Sequence, residues 1–232
     1  GAATTQADAA TMTFGTDGAY GFIDSDGANS ITGTTVTEDG TLYIEDSGDT
    51  TDVMDFSSTV AITSGKTLTI ELGKMASGAA GDEVSLQFSG AVTAAGGNLA
   101  INSTDNSNRG NGNLVDFEST VTLGTLTVKA GDGGAGAAGS TLTLTDITGA
   151  AAITTLTLKS GTGGQGAANA GGVLTVTEIA GDVSGTTFLM SGGDGATPTF
   201  SGTGGAGGST VITAIAGDIS STTLTFQGGD GA

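Results

Sequence analysis

Val53-Met-Asp-Phe-Ser-Ser-Thr-Val60 and Leu114-Val-Asp-Phe-Glu-Ser-Thr-Val121 are near copies of each other, and their relation decides the fold. Each is followed by a second short run, Thr67-Leu-Thr-Ile70 and Thr125-Leu-Thr-Val128, and a weaker copy with Phe88, Leu99 and Ile101 lies between them. Downstream the pattern returns as Leu142 to Ile147 with Thr155 to Leu158, as Leu174 to Ile179 with Thr186 to Met190, and as Val211 to Ile215 with Thr223 to Phe226. The first-run anchors Phe56, Phe88, Phe117, Ile147, Ile179 and Ile215 are 32, 29, 30, 32 and 36 residues apart. The second-run anchors Leu68, Leu99, Leu126, Leu156, Phe188 and Leu224 drift with them, at 31, 27, 30, 32 and 36. An earlier half-copy from Ser30 to Ile44 makes a seventh unit.

Within the second runs apolar residues alternate with threonine, the period-2 signature of a strand with one buried face. Leu126, Val128, Leu156 and Leu158 are expected to point inward, and Thr125, Thr127, Thr155 and Thr157 outward. No run carries enough apolar groups to form a core alone. Stacking like columns at the roughly 4.8 Å strand spacing solves this, each buried aliphatic contributing on the order of 1.5–3 kcal/mol. The expectation is an all-β chain, a β-solenoid (parallel β-helix) of about seven degenerate coils, with a β-sandwich of the same strands as the alternative. Residues 1–52 read as an acidic N-terminal segment with the first half-coil, and residues 53–232 as the repeats. Glycine-rich arcs such as Gly131 to Gly136, Gly161 to Gly166, Gly192 to Ala196 and Gly204 to Gly208 read as the corners of the coil, since glycine accepts positive φ. Asp105 to Asn113 reads as a protruding polar loop.

Composition removes whole classes of chemistry. There are 44 Gly but no His, Cys or Trp, and only five basic residues in 232. Imidazole bases, thiolate nucleophiles, disulfides and the usual zinc sites are absent. A parallel β-helix enzyme acting on polysaccharide would need a carboxylate cluster and aromatic platforms, whereas Asp55, Asp116 and Asp146 recur at one repeat position, which suggests a structural column. A net charge of −19, with no basic residue before Lys66, disfavours nucleic acid and anionic membranes. No apolar run approaches a membrane span. The first residue is Gly rather than Met, consistent with a processed product or a fragment.

Cations are the natural partners of such a chain. Asp24, Asp26 and Asn29 place oxygen ligands at alternating positions around a glycine, like the start of a calcium loop, and Glu45, Asp46, Asp49 and Asp52 add a second acidic run. These seven are the candidate metal ligands, with a solvated acidic surface as the competing reading. The glycine arcs resemble the calcium-binding nonapeptide repeat, except that alanine stands where the chelating carboxylate belongs, in Gly133 to Ala138 and Gly163 to Ala168. Outward threonine pairs at Thr67/Thr69, Thr125/Thr127, Thr155/Thr157 and Thr223/Thr225 resemble the ranks with which ice-binding solenoids order water. The rank is broken at Asn98/Ala100 and at Leu189, and Glu71, Lys129 and Lys159 sit beside it. Asn102-Ser-Thr104 is a glycosylation triplet.

From Val53 onward, the Thr/Val/Gly-rich units resemble repeat regions of secreted prokaryotic surface proteins of the adhesin, autotransporter-passenger, surface-layer or sheath type. The resemblance covers about four-fifths of the chain and is compositional. It implies an extracellular, non-catalytic structural protein at a cell surface: a self-assembling layer, sheath or filament subunit, or a segment of a large adhesin. Virion fibres share the texture, which makes a fibre or spike component an alternative. The last residues, Gly228 to Ala232, nearly repeat Gly192 to Ala196, so the sequence stops inside a repeat without a cap. Head-to-tail association of copies through such ends is the expected partnership, or completion of a neighbour's last coil by the Thr-rich Gly1 to Thr16 segment.

Overall fold

A computed structural model describes residues 10–14, 21–24, 28–45, 52–72, 84–103, 113–166, 168–198 and 202–232. Among them nineteen strands follow in order. β1 (Ala10–Phe14) and β2 (Gly21–Asp24) open the stack, and β3 (Ala28–Val36) with β4 (Gly40–Glu45) form the next coil. β5 (Asp52–Phe56), β6 (Val60–Ile62) and β7 (Thr67–Leu72) follow, then β8 (Val84–Phe88) with β9 (Val92–Ser103). β10 (Asn113–Phe117) and β11 (Val121–Lys129) make the next coil, and β12 (Leu142–Ile147) and β13 (Ala151–Lys159) the one after. The last two coils are β14 (Leu174–Ile179), β15 (Val183–Ser184), β16 (Thr187–Ser191) and β17 (Thr210–Ile215), β18 (Ile219–Ser220), β19 (Thr223–Gln227).

Every one of these strands pairs in parallel with the strand one coil away. A first ladder runs through seven of them, β3, β5, β8, β10, β12, β14 and β17. Another runs from β2 through β4, β7, β9, β11, β13 and β16 to β19. These are the two columns read from the sequence, in the register read there: Leu68, Leu99, Leu126, Leu156, Phe188 and Leu224 lie directly above one another. The chain is therefore a β-solenoid, and the uniformly parallel pairing excludes a β-sandwich, whose sheets are antiparallel. Ala28–Glu45 is a full coil rather than half of one, and the ladders pass through residue 52 without interruption.

A middle ladder completes the cross-section. It passes from β1 through Thr34 and Val36, then Val60, Val92, Val121, Ala151, Val183 and Ile219. The three walls enclose one continuous apolar column from Ile31 to Met190. At its centre Phe56, Phe88 and Phe117 stack with centroids 4.8 Å apart and rings within 9° of parallel. In-register parallel strands repeat at about this distance, so the backbone itself sets the stacking.

The link from the first to the middle ladder is three residues long in six coils, Ser57–Thr59 through Ala216–Asp218. Here adjacent coils nearly touch. The Gly90 N–H donates to Phe56 O at 2.9 Å, and a Cβ on Gly90, Gly149, Gly181 or Gly217 would lie 2.1–2.5 Å from backbone of the coil beneath. Where glycine stands in this link it is held by close approach, not by positive φ, while Ser58 and Ser119 take the same place in two other coils.

Candidate functional site

A smaller variation lies between the middle and third walls, from four residues at 63–66 to two at 185–186, but the largest variation in coil length falls at one corner, between the end of the third wall and the start of the next first wall. The strand bounds leave 3, 6, 11, 9, 12, 14 and 18 residues there in successive coils, from 25–27 to 192–209. In a solenoid such insertions line one face, commonly the binding face.

The candidate calcium ligands lie at this corner in the first coils. Asp24 ends β2 and Glu45 ends β4, and their backbones are paired on adjacent rungs. Asn29 and Asp52 lie across the corner at the start of the first wall, in β3 and β5. Asp26, Asp46 and Asp49 fall outside the described residues, as do the side chains of the other four. Among the described residues no group of three or more carboxylates is arranged to hold a metal ion. The Asp105 to Asn113 loop lies outside them too, save Asn113, which opens β10. Ala10–Phe14, part of the segment expected to complete a neighbour's last coil, pairs with β3 of its own chain.

From residue 130 onward the corner carries the glycine arcs, which turn at their tips and are otherwise extended. Ala130, Gly133 and Gly136 donate N–H to the carbonyls of Lys159, Thr162 and Gln165 in the next coil, at 2.8–2.9 Å. Ala168, Gly171 and Leu174 do the same to Thr203, Ala206 and Ser209. Donation at every third residue is the mark of an extended three-residue helix of the polyproline II kind, whereas a strand repeats every second residue. Each arc thus runs out as one extended arm and back as another. A zigzag of N–H to O bonds links the arms from Ser140 to Gly131, Gly161 to Ser140, Gly172 to Gly161, Gly193 to Gly172, Gly208 to Gly193 and Gly229 to Gly208. Among the described arm glycines only Gly136 and Gly166, at the tips, have positive φ. A Cβ on Gly161, Gly164, Gly193, Gly205, Gly208 or Gly229 would sit 1.8–1.9 Å from a carbonyl oxygen of the adjacent arm. Only glycine permits the packing, as at the axis of collagen.

Where arms meet the third wall, an open groove of about 450 Å³ is lined by Glu71, Asn102, Lys129, Asp132, Lys159 and Thr162 among others. The register stacks Glu71, Asn102, Lys129 and Lys159 on successive rungs. Most of their polar groups are engaged across rungs: Asn102 Nδ2 donates to Glu71 Oε1 at 3.0 Å, and Lys159 Nζ to Asp194 Oδ2 at 3.3 Å. Asn102 of the glycosylation triplet therefore stands inside β9, not on a loop. The Asp230 N–H, with Lys159 beside it, holds Asp194 below the usual carboxylate range.

On the opposite side of the coil the recurrent aspartates form the structural column read from the sequence. Asp55, Gln87, Asp116 and Asp146 are in register, and Ser89 donates its N–H and hydroxyl to Asp55. Buried Oδ1 atoms of Asp116 and Asp146 lack any partner. Desolvation first, then Glu118 and Asp146, push Asp116 up to about 6. A carboxyl raised in the folded state binds its proton more tightly there, so its penalty is absent below the unfolded value of 3.8, grows from there toward about 6 and is full above it. Asp116→Asn is expected to stabilise the protein at pH 7.5 by about 1–2 kcal/mol, after discounting for solvent screening, and to change little at pH 4. Denaturant midpoints at the two pH values check this; equal effects at both would refute it.

The outward threonine ranks lie where the alternation puts them, Thr67/Thr69, Thr125/Thr127, Thr155/Thr157 and Thr223/Thr225 in register, with Asn98/Ala100 and Leu189 interrupting. No family model, curated protein or solved structure matches this chain.

Proposed function

We propose that this is a non-catalytic structural protein of the cell exterior whose copies associate end to end into a filament, sheath or layer. The observation that carries the reading is the stacking itself: like coils complete one another through parallel ladders, and columns such as Ile179, Phe188 and Met190, set between neighbouring coils, are at most 1% exposed. An open rung with its core uncovered recruits another strand set. The absence of cysteine, the acidic surface and the threonine-rich outer wall fit a secreted rod that depends on stacking rather than on disulfides.

Sedimentation over a concentration series tests the idea. The wild-type chain is expected to form oligomers that grow with concentration, and Leu224→Asp/Phe226→Asp to remain monomeric with an unchanged β-sheet spectrum. A wild-type chain that stays monomeric at millimolar concentration would sink the reading. Repeating the series with a chelator separates calcium bridging at the acidic first coils, which predicts loss of oligomers, from stacking by ladder edges alone.

A further inference from the structure

We propose that Asp116 and Asp146 hold one proton between them, Asp116 donating it to Asp146, and that its loss loosens the stack between β10 and β12. The pair is thereby a pH-sensitive latch built into the first wall, independent of how copies associate. The register sets Asp116 against Asp146 on adjacent rungs, roughly 4.8 Å apart. The Oδ1 atoms of both are buried and lack a hydrogen-bond partner. Two ionised carboxylates cannot satisfy each other, because each only accepts. A single proton turns one of them into a donor and satisfies both atoms at once. The other contacts leave those atoms free for it: Thr148 Oγ1 donates to Asp146 Oδ2 at 3.0 Å, and the Phe117 N–H bonds to Asp116.

Earlier in the column the same clash is avoided. Gln87, an amide, stands between Asp55 and Asp116, and Asp55 accepts both the N–H and the hydroxyl of Ser89. The charges around the pair are all negative. Glu118 follows β10 in the link, Asp55 lies two rungs below in β5, and Glu178 in β14 precedes Ile179 as Asp146 precedes Ile147; β8 carries no charge. Among the described residues the basic side chains, Lys66, Lys129 and Lys159, lie on or beside the third wall. With no cation beside it, the pair is relieved by a bound proton, and burial, Glu118 and Asp146, in that order, raise the affinity of Asp116 for one. When that proton leaves to solvent, two charges face each other across one rung. The pairing that holds the rung, including the 2.9 Å bond from Thr148 N–H to Phe117 O, then opens more often. The latch is tightest in acid and fully loosened above about 6.

Carbon-detected NMR of the aspartate carboxyl groups of the full chain, titrated through this range, tests the pair. The Cγ signals of Asp116 and Asp146 are expected to move together in the step in which Asp116 loses its proton, as coupled sites do. In Asp146→Asn that step is expected to fall by about half a unit or more, because an amide donates to the carboxylate instead of repelling it. Glu118→Gln should lower the step too, yet leave the two signals coupled. Exchange of the Thr148 amide, corrected for its intrinsic pH dependence, is expected to be about tenfold faster at pH 8 than at pH 5 in wild type. In Asp116→Asn it should change little, since the new amide takes the donor's part at either pH. Signals that titrate in separate, independent steps, or an Asp116 step unmoved by Asp146→Asn, overturn the shared proton. The wild-type signals decide this even where a variant folds poorly. A Thr148 amide equally protected at both pH values overturns the latch.

Discussion

Gly193→Ala is expected to destabilise the glycine-arm layer by about 3 kcal/mol or more. The added Cβ would lie 1.8 Å from Gly161 O, with Gly172 N within 2.9 Å, both backbone atoms of arms already hydrogen-bonded to Gly193 or its neighbours. No side chain is there to swing aside. Relief requires three arms to part, with loss of the Gly193 to Gly172 and Gly208 to Gly193 bonds. Gly231→Ala is the matched control: it stands in the same kind of sequence, but the nearest atom to its Cβ is 3.7 Å away. Because each coil touches only its neighbours, the damage should be local. Amide exchange is expected to accelerate at Gly161, Gly172 and Gly208 while the β5–β8 amides stay protected, and an equally mild outcome for both variants would refute the arm packing.

Phe88→Ala should cost about 3–5 kcal/mol. Phe88 is fully buried and stacks on Phe56 below and Phe117 above, so truncation removes two ring contacts and leaves a void that rigid neighbouring rungs cannot collapse. Phe88→Ile is expected to cost about 1.5 kcal/mol or less, since Ile147 and Ile179 fill the same column in later coils without a ring. Denaturant unfolding followed by circular dichroism measures both. A small loss for Phe88→Ala would mean that the column is not the main support of these coils.

Two of the three walls were legible in the sequence because their runs are long enough to alternate. Thr125 to Val128 shows the period directly, and the Phe and Leu anchors keep step across coils. The middle wall was hidden because Val60 to Ile62 and Val183 to Ser184 are too short to show a period, and a parallel ladder needs no turn motif to announce it. Its trace was the recurrence of Val60 and Val121 after identical Ser-Thr links. The glycine arcs do lie at a corner of the coil, but their extended arms leave no period in the sequence for a different reason. A three-residue helix of glycine buries no side chain, so nothing in Gly161 to Gly172 alternates; its order comes from carbonyls on other arms. The recurrence of glycines three apart, as at Gly161 and Gly164 or Gly205 and Gly208, is the local sign.

The concentration of length variation at one corner has a geometric consequence. Each added coil advances the rod by roughly 4.8 Å whatever its residue count, while extra residues at the variable corner lengthen arms that project sideways. Height and girth are thus written in separate parts of the repeat. Duplicating a unit extends the rod without altering its surface, and lengthening an arc reshapes the surface without changing the pitch. One such chain is a ruler with an independently editable edge.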